Sequence, residues 1–166
     1  MHTILVDKVE ECGLAVQHLL DLGHKKVAML FDKLDNSIRR SRLTGYKQAL
    51  GKAKIPYREK YVYIWGRDAI ADVTESADKG YYLTKALLER TPEVTAFVCM
   101  NDAMALGAFK AVREAGKKVP DDYSIVGFDD LVFADSIDPS LTTVGLDQYL
   151  WGKKLAQYYF SLLEHP

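Results

Sequence analysis

The sequence predicts an α/β fold built on a mainly parallel sheet. Short apolar runs rich in β-forming residues alternate along the chain with amphipathic helical segments. The clearest unit is 94–130, which reads as a strand over 94–100, a helix over 103–115 and a strand over 123–128. A strand, a crossover helix and a second strand imply parallel pairing with a right-handed connection. In such sheets ligands bind beyond the carboxyl ends of the strands.

The other segments continue this alternation. Asp72 and Glu75 form a loose capping box before a helix that ends near residue 90. Residues 131–136 are expected to form one helical turn, and Asp147 is expected to cap the last helix. The predicted strands cover 3–6, 26–31, 61–65 and 141–144, and the other helices cover 9–22, 38–52 and 148–163.

The two ends of the chain do not fit a closed domain. The chain opens on a strand and ends on a helix, which would leave bare sheet edges at both places. We therefore interpret the first strand–helix pair and the last strand–helix pair as parts of another lobe.

Composition and charge exclude several classes of protein. The 166 residues are 48% hydrophobic and 27% charged, with a formal net charge of −1. This balance gives no general attraction to nucleic acid or to an anionic membrane. No apolar run approaches the roughly 20 residues that cross a bilayer, and the first residues lack the pattern of a signal peptide. Cys12 and Cys99 lie in apolar segments, which favours buried free thiols in a reducing cytosol over a disulfide.

The motifs of several enzyme classes are absent from the sequence. No phosphate-binding loop, dinucleotide-binding glycine motif, nucleophile elbow, H-E-x-x-H motif or pair of C-x-x-C motifs occurs. The histidines have no metal-ligand spacing. No cofactor and no metal are predicted, although acid–base chemistry by strand-end carboxylates stays open.

Polar side chains follow the ends of successive predicted strands. Asn101 and Asp102 follow one strand, and Asp129 and Asp130 follow the next. Asp, Asn and Arg side chains present paired donors and acceptors that match the adjacent hydroxyls of a sugar. Aromatic neighbours such as Phe31, Trp65 and Phe128 are candidates for stacking on an apolar sugar face. The same edge is expected to carry Asp32, Lys33, Asp35, Asn36, Arg42, Arg67 and Asp68.

Each candidate also has a structural interpretation. Asn101 or Asp102 is expected to cap the helix that follows, which leaves the other residue freer to bind. Arg39 and Arg40 are as well explained by a solvated helix face as by a binding role. Trp65 is more often a core residue than a ligand platform.

Four segments of the chain resemble the effector-binding domain of the LacI/GalR family of bacterial transcription regulators. They are HLLDLGHKKVAML at 18–30, RLTGYKQAL at 42–50, the stretch 95–130 that ends in Phe-Asp-Asp, and PSLTTV at 139–144. This domain shares its fold, a three-layer sandwich around a parallel sheet, with type I periplasmic binding proteins. The resemblance implies that residues 25–140 form the C-terminal lobe, and that 1–24 and 141–166 belong to the N-terminal lobe.

The resemblance also implies roles for individual residues. Arg42, Asn101 and Asp129 match positions that contact the effector in the family, whereas Asp102 matches an Asp at a helix start. The loop after the 26–31 strand is similar to that of the arabinose-repressor branch, which adds Asn36 and Lys33 as candidates. Trp65 is the candidate for the aromatic platform.

The implied function is that of a sensor fragment without its DNA-binding head. A sugar or related small polar molecule would bind between two lobes, and operator DNA would be contacted only through an N-terminal head. We expect a cytoplasmic protein that is not an enzyme and has no membrane partner. Homodimers or self-association are expected, because the helices at 9–22 and 148–163 would expose apolar faces. A solute-binding receptor of a sugar transporter is the alternative, and an enzyme on the same scaffold is a third class.

Overall fold

The computed structural model describes residues 4–164 and contains one five-stranded parallel sheet between two layers of helices. The predicted α/β class is confirmed. The strands are β1 Val27–Phe31, β2 Val62–Ile64, β3 Ala96–Cys99, β4 Ser124–Phe128 and β5 Thr142–Val144. The helices are α1 Lys8–Asp21, α2 Ser37–Lys52, α3 Ser76–Arg90, α4 Asp102–Glu114 and α5 Gln148–Glu164, with 3₁₀ turns at Glu59–Tyr61 and Val132–Asp135.

The strand order is β2-β1-β3-β4-β5, so β1 and β3 lie at the centre. Their residues are apolar and buried throughout, as strands covered on both faces require. Helices α1 and α2 pack against each other, as do α3 and α4. Right-handed crossovers place the two pairs on opposite faces of the sheet. The predicted three-layer architecture follows from this arrangement.

Helix α1 belongs to the same core as the sheet, which corrects two expectations about the start of the chain. Residues 4–7 form no strand, and Thr3 lies outside the described residues. The apolar face of α1, with Cys12, Val16 and Leu19, is buried against the sheet and α2 rather than exposed. Within the described residues, the 8–21 helix therefore packs as part of the 25–140 unit.

Strand β5 also joins this unit, because it pairs with β4 through Val126–Thr142 and Phe128–Val144. Strand β5 therefore belongs to the same sheet as β1–β4, and the assignment of 141–166 to the N-terminal lobe stays a prediction. Most side chains of α5 are exposed, including Tyr149, Phe160 and Leu163. Asp147 Oδ1 accepts a hydrogen bond from the backbone N–H of Leu150, which confirms it as the cap of this helix.

The start of α3 also differs from the sequence pattern. The capping box of Asp72 and Glu75 is wrong: α3 begins at Ser76, and the side chain of Glu75 makes no capping hydrogen bond. The cysteines are free and buried as predicted, and burial raises the pKa of the Cys12 thiol to about 12. Across residues 4–164, no helix combines the length and apolar character needed to span a bilayer.

Candidate functional site

The predicted polar residues gather at the carboxyl edge of the sheet. Because all five strands are parallel, the segments after β1, β3 and β4 leave the sheet at this same edge. Asp32 directly follows β1 and Asp129 directly follows β4, whereas one residue separates Asn101 from the end of β3. The amino-terminal turns of α1 and α2 reach the same edge, and they bring Glu11 and Arg42 to it.

Arg42 is buried at the floor of this edge, with only 5% of its surface exposed. Its Nη2 lies 2.9 Å and its Nε 3.2 Å from Oε2 of Glu11. Its Nη1 donates a hydrogen bond to the backbone carbonyl of Met100, at the end of β3. The guanidinium carbon lies 4.0 Å from the ring centre of Phe128, which gives a cation–π contact. Three protein groups therefore fix the plane of the guanidinium.

Asn101 caps α4. Its Oδ1 accepts hydrogen bonds from the backbone N–H of Met104 at 2.8 Å and from the hydroxyl of Ser76 at 2.9 Å. The backbone of Asn101 is extended, as the capping position requires. Of the two residues expected to cap this helix, Asn101 is the one that does so. The amide nitrogen of Asn101 makes no hydrogen bond within residues 4–164 and is the part of this half-buried side chain that remains for a ligand.

Asp102 is fully buried and has a structural role, which corrects its place among the candidate ligand contacts. Its Oδ2 accepts a hydrogen bond from the N–H of Leu131 at 2.9 Å, and its Oδ1 accepts one from the Thr143 hydroxyl at 2.6 Å. A Cβ on Gly127 would lie 2.2 Å from Oδ1, so a glycine in β4 is what lets this carboxylate enter. Burial raises the pKa of Asp102, against the effect of these two hydrogen bonds. Both oxygens are occupied by the protein.

Asp129 and Asp130 are exposed and have left-handed backbone conformations, with φ of +102° and +52°. Residues other than glycine rarely adopt such angles, and they persist where the surroundings hold them. The Asp129 N–H bonds the carbonyl of Val144, and the Asp130 N–H lies 3.3 Å from the Thr143 hydroxyl. The β4–β5 connection thus presents two carboxylates directly after Phe128, the residue on which Arg42 stacks.

The two weaker candidates have mainly local contacts. Asn36 caps α2, since its Oδ1 accepts from the N–H of Arg39 at 3.0 Å. Trp65 is half-buried just beyond β2 at the sheet's edge, where its ring centre lies 6.4 Å from that of Tyr82. Both residues lie at the carboxyl edge, as predicted. Neither contacts Arg42 through any recorded hydrogen bond or ring contact.

A second ionic cluster lies after β1. Asp32 Oδ2 is 3.2 Å from Nζ of Lys79 and 3.5 Å from Nη2 of Arg39, and Arg39 also pairs with Asp35 at 2.6 Å. These contacts hold the 32–36 loop against α2 and α3. Arg39 therefore forms ion pairs at this edge and is not simply part of a solvated helix face.

Sequence reasoning missed three residues of this edge: Glu11, Lys79 and Ser76. The signal for Glu11 is visible in retrospect, because it shares a helix face with the buried residues Ala15 and Leu19. A carboxylate on the apolar face of a helix needs a buried partner. Ser76 and Lys79 carry no comparable signal, since both lie among other polar residues.

This edge suits recognition of hydroxyl groups better than metal binding or nucleophilic chemistry. Among residues 4–164, no group of three or more His, Cys, Asp or Glu side chains is arranged to hold a metal ion. The polar groups at this edge are the exposed carboxylates of Asp129 and Asp130, the half-buried amide of Asn101 and the buried guanidinium of Arg42. Together they offer hydrogen-bond acceptors and donors at one edge of the sheet.

The chain is similar to known proteins over most of its length. Residues 16–166 match the model of the periplasmic binding protein-like domain. The HTH-type transcriptional repressor PurR of Vibrio atlanticus is 36% identical over 141 residues, which are 84% of this chain and 40% of the repressor. The ribose operon repressor of Haemophilus influenzae is 30% identical and matches 92% of this chain and 44% of its own length. The chain thus spans less than half the length of these relatives.

Solved structures show the same likeness. The transcriptional repressor AscG of Escherichia coli superposes with a TM-score of 0.85 at 30% identity, and covers 98% of this chain and 56% of AscG. A LacI-family regulator from Enterococcus faecium with bound ribose has a TM-score of 0.80 at 29% identity, and covers 97% of this chain and 57% of that protein.

Proposed function

The chain belongs to the periplasmic binding protein-like domains of LacI-family transcriptional regulators, and we propose that its carboxyl sheet edge is one wall of a cleft for a sugar or related small polar effector. One observation carries this proposal. The carboxylate of Asp129, the amide of Asn101 and the Arg42–Phe128 pair lie at one edge of a sheet whose structural neighbours include a ribose-bound regulator.

The geometry suits a neutral polyhydroxyl compound. Carboxylates accept hydrogen bonds from sugar hydroxyls, and amide and guanidinium nitrogens donate to them. The ring of Phe128 backs Arg42 from one side and limits how far the guanidinium can turn. Apolar side chains at this edge, such as Ile70 and Val132, are more than 80% exposed, as expected of a surface that faces another lobe.

Regulation in the intact protein would follow from lobe closure. A ligand that contacts both walls binds the closed arrangement better than the open one and so shifts the population between them. A DNA-binding head elsewhere in the protein would then change its spacing relative to that of a partner subunit. We propose a homodimeric, cytoplasmic regulator without catalytic activity. The repressor identity of the curated relatives supports this proposal over a transporter receptor.

A thermal-shift screen of the intact protein tests the function. Neutral sugars, sugar phosphates and nucleobases are added in turn, and the melting temperature is measured in each case. We expect at least one neutral sugar to raise the melting temperature in a saturable way, because a ligand that binds only the native state stabilises it. Turnover of a screened compound, with no saturable shift by any of them, would contradict the sensor assignment.

A further inference from the structure

The buried pair formed by Glu11 and Arg42 bears on which ligands the cleft accepts. Both side chains are more than nine-tenths buried, and the Oε2 atom of Glu11 receives two of the guanidinium donors. The Met100 carbonyl receives a third. A guanidinium has five N–H donors, so two remain for a ligand. Arg42 can therefore donate to hydroxyls while its charge is already matched by a carboxylate.

From this geometry we propose that Glu11 is a positioning residue that neutralises Arg42 and makes the cleft selective for uncharged polyhydroxyl ligands over their phosphorylated or carboxylated counterparts. This proposal rests on the proposed function and narrows its ligand class. It follows from where the buried charges lie, because a buried arginine without a carboxylate partner would attract anions.

The charges around this pair favour the same selectivity. Asp129 and Asp130 lie exposed at the end of β4 and form no ion pair within residues 4–164. Lys8 Nζ bonds Oε1 of Glu11 at 2.7 Å, so Glu11 is shared by Lys8 and Arg42, and the exposed carboxylates of Asp129 and Asp130 supply further negative charge at this edge. An anionic ligand at Arg42 would thus displace Glu11 or approach two unpaired carboxylates.

The second ionic cluster does not change this balance. Lys79 and Arg39 both pair with Asp32, and Arg39 also pairs with Asp35. Two cations and two carboxylates leave this cluster without excess positive charge. Arg42, Arg39 and Lys79 are therefore each engaged by a carboxylate of the protein.

The experiment compares matched ligand pairs on the intact protein by calorimetry. The probes are D-ribose with D-ribose 5-phosphate, L-arabinose with L-arabinonate, and inorganic phosphate. The test variant is Glu11→Gln, which keeps the shape and one acceptor for Arg42 but removes the charge. The control is Glu10→Gln, which removes the same charge from the exposed neighbour in the first turn of α1.

We expect the native protein to bind the neutral member of a pair at least about tenfold more tightly than the anionic one. The reason is that the anionic group would approach the carboxylates of Glu11, Asp129 and Asp130. Glu11→Gln should reduce this ratio by about tenfold or more, through tighter binding of the anionic member. Glu10→Gln should leave it unchanged. A purely structural role of Glu11 would instead weaken both members of each pair alike, and that result would overturn the proposal.

Three further outcomes are decisive. If Glu11→Gln does not fold, Glu11→Asp keeps the charge but draws it back by one methylene, and is expected to weaken the preference by a smaller factor; an unchanged ratio would overturn the proposal. Tighter binding of the anionic member by the native protein would overturn this inference while leaving the proposed function intact. Failure of every sugar in the screen to bind would overturn both.

Discussion

Asp102 shows how one buried carboxylate arranges an exposed site. It joins the start of α4 to the N–H of Leu131 and to the hydroxyl of Thr143, and so it ties three segments together. Those bonds bracket Asp129 and Asp130, whose left-handed backbone needs support from its surroundings. The position of the exposed carboxylates of Asp129 and Asp130 thus depends on the fully buried carboxylate of Asp102.

Replacing Asp102 by Asn tests this role. The amide offers one oxygen where the carboxylate offers two, so either Leu131 N–H or the Thr143 hydroxyl would lose its acceptor. We expect the free energy of unfolding of the intact protein to fall by about 1–3 kcal/mol, measured by urea denaturation. Asp135→Asn, at an exposed position of the following turn, is the control. Equal stability of the two variants would contradict the structural assignment of Asp102.

At this scale the sequence predicted which residues reach the edge, but not what each one does. Asn101 and Asp102 are both good caps, and only the backbone angles after β3 decide that Asn101 takes the position. The roles implied for Arg42, Asn101 and Asp129 remain proposals. The sequence pattern did not reveal Glu11, because the apolar residues alone predicted the buried face of its helix.

At the scale of elements, the crossing of α1 and α2 positions the Glu11–Arg42 pair. A Cβ on Gly45 would lie 2.2 Å from the carbonyl oxygen of Val9, so the two helix backbones approach as closely as glycine permits. Gly45 lies one helical turn beyond Arg42 on α2. The close crossing therefore brings the guanidinium within reach of the carboxylate on α1.

Two glycine substitutions in α2 separate this packing role from helix propensity. Gly45→Ala should destabilise the protein by about 1–3 kcal/mol, because the helix backbones must move apart. Gly51→Ala, with no atom within 4 Å of the added Cβ, should stabilise it by about 0.5–1 kcal/mol. Denaturant titrations of both variants give these values. A Gly45→Ala protein as stable as the parent would show that the helices are not held at this distance.

The alternation of strands and helices was predictable because apolar runs and helical periodicity are local properties. The place of α1 was not, because the order of the chain does not show which core a terminal helix joins. The same limit applies to β5, whose three residues pair with β4 only after the Asp138-Pro139 turn returns the chain to the sheet edge. The glycine of the 42–50 segment was evident as a motif, but its physical reason lies in the contact with α1.

At the scale of the whole molecule, α5 leaves a large apolar surface exposed. Burying such a surface against another protein surface is favourable. The exposed apolar residues of this helix include Tyr149, Leu150, Leu155, Tyr159, Phe160 and Leu163.

We expect the 166-residue chain, expressed by itself, to self-associate through this helix. Its mass in solution, measured by light scattering after size exclusion, should exceed that of a monomer and rise with concentration. Changing Leu155 and Phe160 to Lys should shift it toward the monomer, whereas changing the exposed Lys153 and Lys154 to Glu should not. A monomer at all concentrations would contradict this expectation.

The placement of the effector at the carboxyl edge of the sheet is tested most directly by measuring how much Asp129 contributes to effector binding. Calorimetry of the intact protein would use the neutral sugar that gives the largest thermal shift, with Asp129→Asn as the test variant and Asp121→Asn as the control. Asn tolerates the left-handed backbone, so the variant changes charge more than shape. Asp121 is exposed at the opposite edge of the sheet, before β4. We expect binding to be at least about tenfold weaker for Asp129→Asn and unchanged for Asp121→Asn. Unchanged affinity in Asp129→Asn would contradict the placement of the effector at this edge.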